Sequence, residues 1–249
     1  MKTRSQTRSQ TRSLTRSLTR SQTRSLTRSL SKCSMPLPRP SRVVVRAAST
    51  TFGMMRQRLA ARESREKVKF DYITRPGVLE WLYGDAAFLR RFGDEGEKRW
   101  GTHLVRNPTS QWTTALGEGV LNDLLVLRGE HPTRISDDMD AAPRAANNKR
   151  LVPDRLTDVA VYECKSRNYT TKGTAGEKIL GCPIKYCEVP RLYKKPLVIV
   201  CIGFQELEAR RDFQLFNPQS PELCRQLAFW KDTFNIRFAQ GTRMLEEAL

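Results

Sequence analysis

The first 62 residues contain no aspartate or glutamate. Fifteen of the chain's 44 lysines and arginines fall in that stretch, leaving 29 to face all 26 acidic residues in the remainder. The formal net charge of +18 therefore belongs to the N-terminal segment, and the body carries an excess of only three. A basic chain leaves a nucleic-acid footprint only where its charge lies on the folded surface, so the overall charge is poor evidence for DNA binding. Histidine is scarce (His103 and His131), and the six cysteines at 33, 164, 182, 187, 201 and 224 form no C-x-x-C pair. A structural zinc site is therefore not expected, and buried free thiols in a reducing compartment are the better explanation. No apolar run approaches the ~20 residues of a membrane helix, so no membrane partner is expected.

What is present begins with low complexity. Residues 3–30 are seven copies of Thr-Arg-Ser-Gln or Thr-Arg-Ser-Leu, which cannot build a core. Pro36, Pro38 and Pro40 then interrupt any helix. An Arg-, Ser- and Thr-rich start without acids resembles an organelle transit peptide. Residues 41–49 resemble a chloroplast processing site, with cleavage near Ala47. Chloroplast is the expected destination, with the mitochondrion as alternative. A basic tail on nucleic acid, or an Arg-Ser segment of a nuclear protein, are competing readings.

Beyond a linker reaching about Glu66, Val78, Leu79, Leu82, Ala86 and Leu89 recur at helical spacing, with Trp81, Phe88 and Phe92 nearby. Residues 71–105 thus read as a helical packing lobe. Leu116, Val120, Leu121, Leu124 and Leu127 mark the apolar stripe of a further helix ended by Gly129. Residues 132–136 suggest a short strand and 137–149 a loop. Two strands follow, about 151–156 and 159–166. A crossover comes next, cut short by Pro183 and Pro190, with Thr174 as an N-cap candidate. Residues 196–203 form a wholly apolar run, as a buried central strand does. Ser220-Pro221 opens a helix with Leu223, Leu227, Trp230 and Phe234 on one face, and a last helix is expected from Arg237 to the end.

The chemistry concentrates on Pro153-Asp154 and, nine residues after Asp154, Glu163-Cys164-Lys165. Strand side chains alternate, so Glu163 and Lys165 share a face. If the chain doubles back between Thr157 and Ala160, Asp154 lies opposite Glu163. Two carboxylates that close repel unless a cation separates them, and paired hard oxygens suit Mg²⁺, with Mn²⁺ as alternative. The ammonium of Lys165 could hold a water or offset charge building on a phosphate.

This pattern resembles the PD-(D/E)xK nuclease signature. The order helix, three strands, helix, strand resembles the αβββαβ core of the restriction-endonuclease-like fold, so the expected fold class is α/β, a mixed central sheet flanked by helices. Residues 112–206 are similar to type II restriction endonucleases of the kind found in algal and other large viruses. Glu118, Asp154, Asp158, Glu163-x-Lys165, the string 171–179 and residues 195–200 carry that similarity. The resemblance implies that Asp154 and Glu163 hold the metal, that Lys165 orients the attacking water, and that Glu118 reaches the metal through water. It also implies cleavage to a 5′-phosphate and a 3′-hydroxyl. Asp158 competes with Asp154 as metal ligand.

The domain plan is then 1–62, repeat and linker, followed by a nuclease-like domain over 67–249. That domain comprises the lobe 71–105, the core 112–206 and C-terminal helices over 220–248. The segment 173–178 lacks the Gly-Lys-Ser/Thr of a nucleotide loop. It reads either as a tight turn or as a helix start that receives a DNA phosphate with Lys172, Thr174 and Lys178. Arg167, Asn168, Lys185 and Tyr186 are DNA-contact candidates by their position beside these elements. The expected function is Mg²⁺-dependent DNA cleavage, by a homodimer if both strands are cut as in many relatives. Alternatives are a catalytically inactive nucleic-acid-binding protein of the same fold, an organellar repair or recombination nuclease without sequence specificity, and an organellar interaction factor in which Glu-Cys-Lys is accidental.

Overall fold

A computed structural model describes residues 42–105, 111–135, 143–170 and 174–249. The Thr-Arg-Ser repeat, Cys33, the three early prolines, residues 137–142 of the expected 137–149 loop, Lys172 and Gly173 lie outside the described residues. The protein is α/β, with a five-stranded mixed sheet flanked by helices. In chain order the elements are α1 (Arg42–Glu66), α2 (Val78–Leu82), α3 (Ala86–Leu89), α4 (Gly93–Val105) and α5 (Trp112–Leu127), then β1 (Thr133–Arg134), β2 (Arg155–Leu156) and β3 (Val161–Arg167). A 3-10 turn (Thr174–Ile179), α6 (Cys182–Lys185) and α7 (Val189–Tyr193) form the crossover to β4 (Leu197–Gly203). There follow α8 (Phe204–Arg211), α9 (Pro221–Phe234), β5 (Ile236–Gln240) and α10 (Gly241–Ala248).

The sheet order is β1-β2-β3-β4-β5. The first three strands form an antiparallel meander, and β4 and β5 join in parallel. All seven residues of β4 are buried, as expected of an apolar run covered on both faces. Alternation sorts the two cores. Tyr162, Cys164, Val198, Val200 and Ile202 meet α5, α10 and the N-terminal helices, whereas Val161, Leu197, Ile199 and Cys201 meet the crossover and α8.

Local signals account for several boundaries. α5 ends in a Schellman arrangement, with Gly129 at φ +76° and the amides of Gly129 and Glu130 donating to the carbonyls of Val126 and Leu125. Ser220 Oγ caps α9 by accepting from the Leu223 amide at 3.1 Å, and Pro221 occupies its first turn. Pro183 and Pro190 likewise stand in the first turns of α6 and α7.

Three expectations need correction. The segment read as a linker is helical, and α1 sends Phe52 and Leu59 into the core, Leu59 with no exposure at all. Residues 236–240 are a strand, not the start of a helix. Asn235 takes a left-handed conformation that ends α9, and the period-two pattern of Ile236 and Phe238 then continues the sheet. Of the cysteines, Cys164, Cys182 and Cys201 are buried free thiols, but Cys224 is exposed and Cys187 half-buried.

Buried acids tie the helical lobe to the segment after β3 and to α5. Glu97, fully buried on α4, accepts from Trp81 Nε1 at 2.8 Å and from the amides of Tyr169 and Thr170 just past β3. Asp123, 2% exposed on α5, accepts from the amides of Asp71, Tyr72 and Ile73. Burial outweighs these donors and pushes its pKa up to about 6. Among the described residues no helix is long and apolar enough to cross a membrane.

Candidate active site

The β2–β3 turn falls where the sequence places it, with the Thr157 amide donating to the Ala160 carbonyl at 3.0 Å. Arg155 pairs with Tyr162 and Leu156 with Val161, a register that sets Asp154 across from Glu163. β2 itself is only two residues long, so Asp154 lies just outside the ladder. Its side chain takes over there, with Oδ2 accepting from the Cys164 amide at 2.6 Å.

Glu163 is 3% exposed. Its Oε1 accepts from Lys165 Nζ, and from the Tyr186 hydroxyl at 2.9 Å. Its Oε2 is buried and has no hydrogen-bond partner. Lys185 Nζ in turn donates to the Tyr186 hydroxyl at 2.5 Å.

α5 supplies the third carboxylate. A Cβ on Gly117 would come within 2.3 Å of Ser166 Oγ and 2.6 Å of Ser166 Cβ. The absence of a side chain at 117 therefore lets the helix lie close on β3 and brings the neighbouring Glu118 to the cleft. Glu118 Oε2 stands 3.5 Å from Arg155 Nη1. Glu118, Asp154, Lys165, Asn168, Lys178 and Gln205 line a cleft of about 290 Å³ at this end of the sheet.

The electrostatics are those of crowded negative charge. Burial, and then the Asp154 charge, raise the pKa of Glu163 above the usual carboxylate range against the pull of Lys165 and Tyr186. Glu118 is raised for the same two reasons, with Arg155 and Arg134 opposing. Asp154 is raised by burial despite the Cys164 amide and Lys165. For Lys165, burial favours the neutral amine, but Glu163 and Asp154 outweigh it and keep the ammonium well above its ordinary pKa.

The donor set fits a hard divalent cation in one respect and falls short in another. An orphaned buried carboxylate oxygen beside a second carboxylate is what such an ion would satisfy. Among the described residues, however, no three His, Cys, Asp or Glu side chains group closely enough to cage an ion alone. Mg²⁺ commonly takes only one or two protein carboxylates and completes its shell with water and phosphate oxygens, so two suffice.

Other sequence candidates separate from this centre. Asp158 is exposed on the hairpin turn and, unlike Asp154, does not line the cleft. Tyr186 is 3% exposed and bonded to Glu163, so it supports the carboxylate and offers no surface to a nucleic acid. Arg167 lines the cleft, but its guanidinium pairs with Glu208 and stacks on Phe204, fastening α8 to β3. Lys178 is exposed on the cleft, Asn168 lines it, and Lys185 is exposed beside Tyr186. Thr174 begins the 3-10 turn, so it is not the cap before it.

Sequence reasoning missed the link from Tyr186 to Glu163, because a tyrosine 23 positions away carries no local signal. A larger cavity of about 650 Å³ opens beside α8 and α10. Arg210 pairs there with Glu206 and Arg243 with Glu247, and Glu246 accepts from the Tyr83 hydroxyl at 3.1 Å. No family model, curated protein or solved structure matches the chain.

Proposed function

We propose that the chain is a Mg²⁺-dependent deoxyribonuclease of the restriction-endonuclease-like class. One observation carries the reading: Glu163 is buried with Oε2 unpartnered, opposite Asp154, while Lys165 occupies Oε1. The order α5, β1, β2, β3, helical crossover, β4 supports it, because it repeats the arrangement in which such a carboxylate pair and lysine are expected.

Asp154 and Glu163 would hold the cation. When bound, that ion would supply charge neutralisation at a phosphate and acidify a water beside it. Lys165, kept protonated by its neighbours, hydrogen-bonds that water or offsets the charge that develops on the phosphate oxygens. Lys178, exposed on the same cleft, is placed to meet the DNA backbone. The product ends would be a 5′-phosphate and a 3′-hydroxyl.

The test is the full chain incubated with supercoiled plasmid in Mg²⁺ or EDTA, beside Glu163→Gln and Lys165→Ala. Mg²⁺-dependent nicking that both variants abolish is expected. Equal nicking by either variant would refute the assignment. Because no three acidic, histidine or cysteine side chains form a closed cage among the described residues, a second reading stands: a nucleic-acid-binding protein that keeps the architecture without cleavage. DNA retention without nicking in both Mg²⁺ and Mn²⁺ would select it.

A further inference from the structure

We infer that Tyr186 is a positioning residue that fixes the Glu163 carboxylate so that Oε2 is the atom presented to the cation. The inference rests on the reading of Asp154 and Glu163 as cation-holding groups.

A glutamate's terminal torsion is broad and nearly two-fold, so an unrestrained carboxylate exchanges its oxygens freely. Here the two oxygens are not equivalent. Oε1 receives both the Tyr186 hydroxyl and the Lys165 ammonium, and Oε2 receives no donor although it is enclosed. A hydroxyl has one proton to donate, and the Lys185 ammonium already occupies the acceptor side of the phenol oxygen. The Tyr186 proton is thereby directed to Glu163. The ring is locked as well, being 3% exposed in the core with Ile179, Cys182 and Val189. A buried tyrosine and an exposed lysine thus orient a carboxylate on a different element, and the enclosed oxygen of that carboxylate left without a donor is the one a hard cation would take.

The probe is Mn²⁺ binding to the full chain, followed by titration calorimetry and by the paramagnetic signal of free Mn²⁺, with no DNA present. Tyr186→Phe keeps the ring and removes the hydroxyl. It is expected to weaken Mn²⁺ binding about tenfold, as loss of a hydrogen bond to a charged group does. Lys185→Met is expected to weaken it measurably but less than Tyr186→Phe does, because it loosens the phenol without removing it. In a Glu163→Gln background, Tyr186→Phe should cause no further loss. Wild-type protein that binds no Mn²⁺ would remove the cation site and this inference together. Wild-type binding that both Tyr186→Phe and Lys185→Met leave unchanged would overturn the inference alone. So would a Tyr186→Phe loss that persists in full beside Glu163→Gln, since the effect would then run through packing. Should Tyr186→Phe fail to fold, Lys185→Met, altered at an exposed position, decides the matter.

Discussion

Asp154 Oδ2 accepts the Cys164 amide at 2.6 Å, so a side chain stands where strand pairing stops. The same contact that ends the ladder holds the carboxylate across from Glu163. A backbone donor of this kind serves structure and charge at once, and the two roles can be separated. Asp154→Asn keeps a carbonyl oxygen for the amide and removes the charge. It is expected to abolish Mg²⁺-dependent nicking while melting at or above the wild-type temperature in EDTA. Asp154→Ala leaves the amide without its acceptor and should cost about 1–3 kcal/mol, less whatever relief comes from Glu118 and Glu163. Urea unfolding of the three proteins measures the difference. An asparagine variant that nicks normally would remove Asp154 from the chemistry.

Gly117 controls how near α5 comes to β3. In Gly117→Ala the new methyl meets Ser166 Oγ and Cβ well inside contact distance, so the helix must retreat and carry Glu118 with it. Overpacking of this sort costs about 1–3 kcal/mol. The expected outcome is a lower urea midpoint together with slower nicking. Ser166→Gly, introduced on the Gly117→Ala background, should return part of both. Nicking unaffected by Gly117→Ala would show that the position of Glu118 does not matter to the reaction.

How much of this was legible follows the range of the signals. Pro153-Asp154, the turn at Thr157–Ala160, the Glu163/Lys165 face, the buried strand at Leu197–Gly203 and the Ser220-Pro221 cap are all set by neighbours a few residues apart. The burial of Phe52 and Leu59 is not, because it depends on surfaces supplied by α2, α5 and α10. Nothing within α1 itself separates those two positions from an exposed helix, and the acid-free stretch around them reads as a linker. β5 was obscured for a different reason. It is five residues long and bounded by helices on both sides, so its period-two pattern is brief. Glu97 and Tyr186 complete the list of what pattern reading passes over: polar side chains whose partners lie 72 and 23 positions away.

Asp123 gives a pH dependence with a definite sign. Its folded pKa, about 6, lies above the ordinary aspartate value of 3.8. The folded state therefore holds a proton that the unfolded chain has already released between these values. Stability linked to this group is fully present below about pH 4 and is lost as pH rises through about 6. Asp123→Asn should flatten the fall in unfolding free energy over that window, measured by urea titration at half-unit pH steps. The variant should also be less stable overall, because its carboxamide oxygen can replace Oδ2 for the Tyr72 and Ile73 amides but its nitrogen cannot accept from the Asp71 amide. A slope that survives the substitution unchanged would place the titrating proton elsewhere.

Cation binding should follow the opposite trend with pH. Glu118, Asp154 and Glu163 all hold their protons above the usual carboxylate range, so a cation that needs the ionised forms competes with protons in mildly acid solution. A ligand that binds only the folded state raises the melting temperature by mass action. Mg²⁺ at 10 mM, about a typical working concentration for weak carboxylate sites, is therefore expected to raise the melting temperature more at pH 7.5 than at pH 5. The rise should be absent in Asp154→Asn and Glu163→Gln, which remove the charge that binds the ion and also the repulsion that it relieves. In EDTA those two variants should in turn melt above the wild type at pH 7.5, by a margin that shrinks as the pH falls and the wild-type carboxylates take up protons. A Mg²⁺ shift of equal size in wild type and both variants would mean that the ion binds somewhere other than this carboxylate pair.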